Sequence, residues 1–230
     1  MKRYVFGIAL LVIMGFVAAA YGQQIVGVDT LVLTGEVRIL VIDYWGDKVT
    51  RPFEGSVTVH SEPPGGAGVI ANGQLSFIFG RPSTLEPLAD VLADAVRGWG
   101  GFVISSSGAM GARLTLRTPE AGMTISQSST FGGGHARESN DVHYVFVDRD
   151  VTINARRRIE NTSERDDLEW IEDHRAFNIT LRTGWNALHR NTEEEWHRMG
   201  REATTTLCQD IPERVRRWIH RSDGAIPFFN

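Results

Sequence analysis

One cysteine, Cys208, stands in the whole 230-residue sequence. A single thiol closes no intrachain disulfide, so the fold must stand on its core alone. Free cysteine usually packs as a small hydrophobe; left exposed, Cys208 would be able to pair between chains. Lysine is nearly missing as well: Lys2 and Lys48 are the two in the chain, and every other basic residue is arginine. Positive charge is in deficit overall, with 24 basic residues against 28 acidic. A nucleic-acid surface needs a net positive footprint, so this balance argues against such a partner.

Site signatures are missing too. Ser105-Ser106-Ser107-Gly108 lacks the Gly-x-Ser-x-Gly elbow that exposes a serine nucleophile. Gly132-Gly133-Gly134 lacks the Lys-Ser/Thr ending of a phosphate loop. No motif ties Cys208 to a histidine. The expectation is therefore a chain with no catalytic residues and no cofactor.

What is present begins with an address. Lys2 and Arg3 precede an apolar run from Tyr4 to Ala20, and Ala20-Tyr21-Gly22 fits the small-x-small rule of a signal peptidase site. The run is shorter than the ~20 residues of a spanning helix. Residues 1–22 therefore read as a cleavable signal, with Gln23 as the mature N-terminus and Ala18-Ala19-Ala20 as the competing site. No cysteine lies nearby to take a lipid anchor. The expected product, residues 23–230, is secreted or periplasmic, soluble and without a transmembrane segment. Loss of Lys2 and Arg3 leaves 22 basic residues against 28 acidic, a net charge of −6.

The mature chain is dominated by period-two apolar runs between Gly, Pro, Asn and Asp. Strands are predicted over 36–42, 56–60, 69–71, 74–79, 101–105, 112–118, 123–126, 142–147, 151–155, 177–181, 185–189 and 202–208. Asn72-Gly73 signals a type I′ hairpin, because both positions tolerate positive φ. Thr183-Gly184 suggests a second hairpin, in which Ile179 faces Leu188, Leu181 faces Asn186, and Arg182 lies opposite Trp185. Leu88, Val91, Leu92, Ala95 and Val96 form one helical stripe, giving a short amphipathic helix near 85–97 that covers an open end or edge of the sheets. Ser126 to Gly134 reads as a loop and a possible boundary, Arg156 to Asp173 as an exposed charged excursion, and Pro212 to His220 as either strand or short helix. The fold class expected is all-β: a single sandwich of immunoglobulin-like or transthyretin-like antiparallel sheets over 23–230, with a possible split near residue 130.

The run His143-Tyr144-Val145-Phe146-Val147-Asp148-Arg149-Asp150-Val151-Thr152-Ile153 is similar to a Tyr-x-Tyr-x-Asp-Arg-Asp-Val-x-Ile segment of exported proteins and lipoproteins of spirochaetes and Deinococcus-like bacteria. A Leu-x-x-Gly-Trp-Asn element follows in that group and stands here as Leu181-Arg182-Thr183-Gly184-Trp185-Asn186. The strand at Thr34-Gly35-Glu36-Val37 also resembles the group. The resemblance implies an exported β protein and implies no activity. The missing lipobox cysteine departs from the group's lipid-anchored members.

Four weaker constellations remain. His135, Asp141 and His143 are competent ligands for a divalent metal, yet no fourth ligand stands at motif spacing. The string Glu164, Asp166, Asp167, Glu169, Glu172 and Asp173 lacks the alternation and glycine of a calcium loop. Of six tryptophans, Trp45 and Trp170 sit in charged, turn-like surroundings and are candidates for stacking on a sugar or peptide. Paired carboxylates for glycoside hydrolysis cannot be placed by sequence. The favoured reading is a non-enzymatic structural or interaction module of the bacterial envelope, whose partner is an envelope protein or glycan. The alternatives are a carbohydrate-binding module, which requires a flat row of exposed aromatics, and a hydrolase, which requires a cleft with converging acids or histidines.

Overall fold

A computed structural model of the chain describes residues 25–42, 48–95, 102–119, 123–133, 135–161, 170–198 and 200–222. Residues 1–24, Trp45 and residues 162–169, which hold most of the acidic string, lie outside these.

The chain opens with β1 (Val26–Val28), β2 (Leu31–Ile42), β3 (Lys48–Pro52), β4 (Ser56–Glu62), β5 (Ala67–Ala71) and β6 (Gln74–Phe79). Their alternation puts Leu31, Leu33 and Val37 of β2 inward, with Leu75, Phe77 and Phe79 of β6. The β5–β6 turn is the predicted one: Asn72 and Gly73 both take positive φ, at 51° and 75°. A two-residue strand, β7 (Glu86–Pro87), then leads into the one α-helix among the described residues, α1 (Leu88–Ala95). Three short strands follow: β8 (Val103–Ile104), β9 (Met110–Arg113) and β10 (Thr115–Arg117). The second half is built of long ones: β11 (Met123–Gly133), β12 (Ala136–Val147), β13 (Val151–Asn161), β14 (Trp170–Leu181), β15 (Gly184–His197) and β16 (Gly200–Cys208). A 3-10 turn (Glu213–Val215) precedes β17 (Trp218–Ser222), so the undecided segment 212–220 holds both.

The all-β, sandwich-like class expected from the pattern is what forms, with two parallel pairings among the antiparallel ones. The ladders of the first half close a circuit: β2 pairs β6, β6 pairs β5, β5 pairs β4, β4 pairs β10, β10 pairs β11, β11 pairs β17, and β17 returns to β2 in parallel. The second sheet runs β13–β14–β16–β15–β12, with β16 parallel to β14. Strand β12 then passes to β11 at one end and β9 at the other.

Two apolar cores result, and β12 and β15 are the wall between them. Tyr144, Phe146, Trp185 and Ala187 face the first core, with Leu31, Phe77, Phe79 and Trp218. Val145, Val147 and Leu188 face the second, with Ile153, Leu181, Leu207 and the Leu88, Val91 and Leu92 stripe of α1. The helix thus packs its apolar stripe into the second core, beside β7, β9 and β12. Trp185 is 0% exposed, its ring 5.2 Å from Phe79 and 5.6 Å from Phe146, and its Nε1–H donates to the Gly80 carbonyl at 2.8 Å.

Three expectations change. Ser126 to Gly134 is not a loop: its backbone pairs with β12 from Gln127 to Gly133, because Gly and Ser there still offer a full set of N–H and C=O groups. Residues 156–161 and 170–173 are not an excursion but paired strand: β13 pairs β14 there, and β14 pairs β16 along its other side. The third change concerns Thr183-Gly184, whose flanking strands do not pair with each other; β16 enters between them. Gly184 takes φ +107°, and a Cβ there would lie 2.8 Å from the Val28 carbonyl oxygen. Asp150 draws off the turn, accepting the Thr183 N–H at 2.8 Å and Arg182 Nη1 at 2.7 Å, so Arg182 pairs with a carboxylate instead of stacking on Trp185.

Replacing the wall's anchor should be severe. Trp185→Ala is expected to lower unfolding free energy by about 3–5 kcal/mol, measured by denaturant titration followed by circular dichroism.

Candidate functional site

Chemistry-bearing side chains gather where the two cores run out along the β12–β15 wall. On the first-core face, period two carries the inward row Phe146, Tyr144, Val142 on to Asn140, and the row Trp185, Ala187 on to His189. Asn140 and His189 are 1% and 4% exposed, polar residues in apolar rows. Burial at that level demands hydrogen-bond partners, and they find each other: His189 Nε2 lies 2.8 Å from Asn140 Oδ1. Asn140 Nδ2 donates to Glu138 Oε1 at 3.1 Å, which turns the amide oxygen toward the ring. An oxygen there accepts, so Nε2 carries a proton, and when the ring is neutral the lone pair is on Nδ1.

That lone pair meets the cysteine. β16 pairs with β15 so that Cys208 stands opposite His189, with Sγ 3.6 Å from Nδ1. The thiol has a second acceptor, the Asp210 carbonyl, at 3.3 Å. Burial pushes the Cys208 thiol above its ordinary pKa, so it rests protonated. The order carboxylate, amide, imidazole, thiol is that of a nucleophile, its base and the group that orients the base. The sequence reading missed His189 and Asn140. The signal available was a polar residue at an inward position of an otherwise apolar alternating row.

The opposite face of the wall carries a charged group. Asp141 is ion-paired with Arg190, its cross-strand partner, and His143 lies two residues on. His143 Nε2 is buried and has no hydrogen-bond partner among the described residues. Burial, then the Arg190 guanidinium and more weakly Arg113, lowers its pKa to about 4, against a smaller opposing pull from Asp141. His135 is exposed at the turn before β12, some eight residues or roughly 26 Å along the strand from His143. The three sequence candidates for a metal are thus not brought together, and no three His, Cys, Asp or Glu side chains converge among the described residues. Trp170, the sugar-stacking candidate, starts β14 opposite Gly200 in the ladder; Trp45 lies outside the described residues.

The motif residues hold the fold. Asp148 accepts the Met110 N–H at 3.0 Å, and Asp150 takes the 182–183 backbone described above. The bonds that Asp150 receives from Thr183 and Arg182 hold its carboxyl down at about 2. Asn186, 0% exposed, folds back to donate to the Arg182 and Gly184 carbonyls at 2.7 and 2.9 Å. Asp-Arg-Asp and Gly-Trp-Asn are therefore two halves of one turn assembly.

His143 makes an acid-sensitive joint. Its folded pKa lies below the unfolded one of 6.5, so the unfolded chain binds the extra proton and stability falls as pH drops from 6.5 toward 4. The loss is on the order of 3 kcal/mol. Thermal melts across that range should show it, and His143→Leu should flatten the decline. Comparison with family models, with curated proteins and with solved structures finds no match to this chain.

Proposed function

We propose that this chain is an exported, non-enzymatic β protein of the bacterial envelope, a structural or interaction module whose partner docks on the polar extension of its second sheet. The observation that carries the reading is the length of the strands. β12 to β16 run well past the apolar cores, and beyond the row Asn140–Asn191–Thr206 the ladders continue as strands of polar residues. Charged and aromatic groups there are ordered by contacts of their own: Arg201 bonds Glu194 at 2.8 Å and lies over the Trp196 ring at 5.6 Å. Half-exposed polar strands bury little that would justify their length in folding energy alone. A binding face supplies that reason.

The register gives the face its sign. Glu195 and Glu202 are cross-strand partners on β15 and β16, and Glu193 and Glu138 are cross-strand partners on β15 and β12. Like charges on adjacent strands repel, and a partner presenting basic groups relieves the repulsion. A polar envelope protein fits this better than a neutral glycan. The signal-like segment 1–22 and the resemblance to exported bacterial proteins support the address. Among the described residues no helix is long and apolar enough to cross a membrane.

A photo-crosslinker placed at Glu193 or Glu195 in the native envelope should give a discrete adduct that weakens with salt. The same probe at Ile78, 54% exposed on the other sheet, should not. Equal labelling from both positions, or none from either, would reject the face.

A further inference from the structure

We propose that Cys208, His189 and Asn140 form a thiol-exchange site, at which Cys208 attacks a disulfide of a small molecule or partner and is left as a stable mixed disulfide. The geometry is the argument. The nucleophile comes from β16, the base from β15 and the positioning residue from β12, three adjacent strands whose register sets them side by side. The base has one nitrogen committed to Asn140 at 2.8 Å and the other aimed at the sulfur at 3.6 Å. Cys208 is the partly exposed member, at the end of its strand where the chain turns away, while His189 and Asn140 are buried behind it. A reagent therefore meets the sulfur first and the base from within.

The step balances without outside help. The Cys208 proton passes to His189 Nδ1, and the sulfur bonds to one sulfur of the incoming disulfide. The second sulfur leaves as a thiolate and takes the proton back from the imidazolium. Cys208 is oxidised by one S–S bond, and the departing sulfur is reduced to a thiol. Asn140 keeps Nε2–H donating throughout, and its own amide is held by Glu138. A thiol that binds its proton tightly is also a poor leaving group, so the adduct resists reversal. This gives stoichiometric capture rather than turnover and stands apart from the polar binding face: it would survive if that face proved wrong.

Charged groups on the elements around the base can be named among the described residues. Glu138 on β12 reaches it through Asn140, and Glu193 on β15 accepts a hydrogen bond from Asn191, the cross-strand neighbour of Asn140. Asp210 follows β16, Glu213 opens the 3-10 turn packed against β12, and Arg216 caps that turn.

The test uses the full chain and glutathione disulfide, with the adduct read by intact mass as a function of pH. Cys208→Ser should abolish the adduct. In the unaltered protein the rate should rise from acid pH and then level off toward neutrality. In His189→Gln it should instead climb in step with hydroxide and run on the order of a hundredfold slower at neutral pH. Should that variant fail to fold by circular dichroism, Asn140→Asp retains the acceptor, makes the ring more basic and should move the bend to higher pH. A wild-type rate that climbs with hydroxide throughout, with no bend, would overturn the proposal. So would an adduct absent at every pH, or an unmoved bend in Asn140→Asp.

Discussion

The structure depends on the ladder between β12 and β15. It runs from Ala136–Glu195 to Val147–Gly184, and through its inner half the strands are buried on both faces. A strand in that position is apolar on both faces, as Tyr144-Val145-Phe146-Val147 is, and the polar residues it does bury, Asn186 and His189 of β15, are hydrogen-bonded. Each such apolar side chain contributes about 1.5–3 kcal/mol on burial. The same ladder thus stabilises two cores at once, and damage to it is felt in both.

Geometry at the end of that wall follows from a single turn assembly. Leaving β14, the chain must enter β15 without pairing to it, so that β16 can be received between them. Asp150, Asn186 and Gly184 arrange this with local hydrogen bonds and one positive φ. Once β16 is admitted, Cys208 is brought opposite His189, a meeting of residues far from any shared motif.

Polar groups at the wall divide by face. The first-core side satisfies its buried histidine through an amide and a thiol, whereas on the second-core side His143 Nε2, beside two arginines, has no partner among the described residues. Charge there is costly, so the ring stays neutral and acid strains the joint. One side sets a thiol beside an imidazole, and the other loses stability in acid.

How much was legible in the sequence depended on whether a property was local. Period two, turn chemistry and the helical stripe are carried by neighbouring residues, and from them the all-β class, the Asn72-Gly73 hairpin and the helix at Leu88 could be read directly. The Ser/Gly segment before Gly134 and the charged run after Arg156 misled, because strand pairing there rests on backbone groups that every residue but proline supplies. The hairpin at Thr183-Gly184 misled for another reason: its partner strand lies later in the chain, and no local signal announces an insertion. His135, Asp141 and His143 looked close because they are close along the chain, yet extension along β12 keeps the first apart from the others. The sequence by itself determined which residues point inward and which turn. Only tertiary structure decided which strands became neighbours, and therefore that Asn140, His189 and Cys208 meet, because register is set by burying both faces of one shared wall.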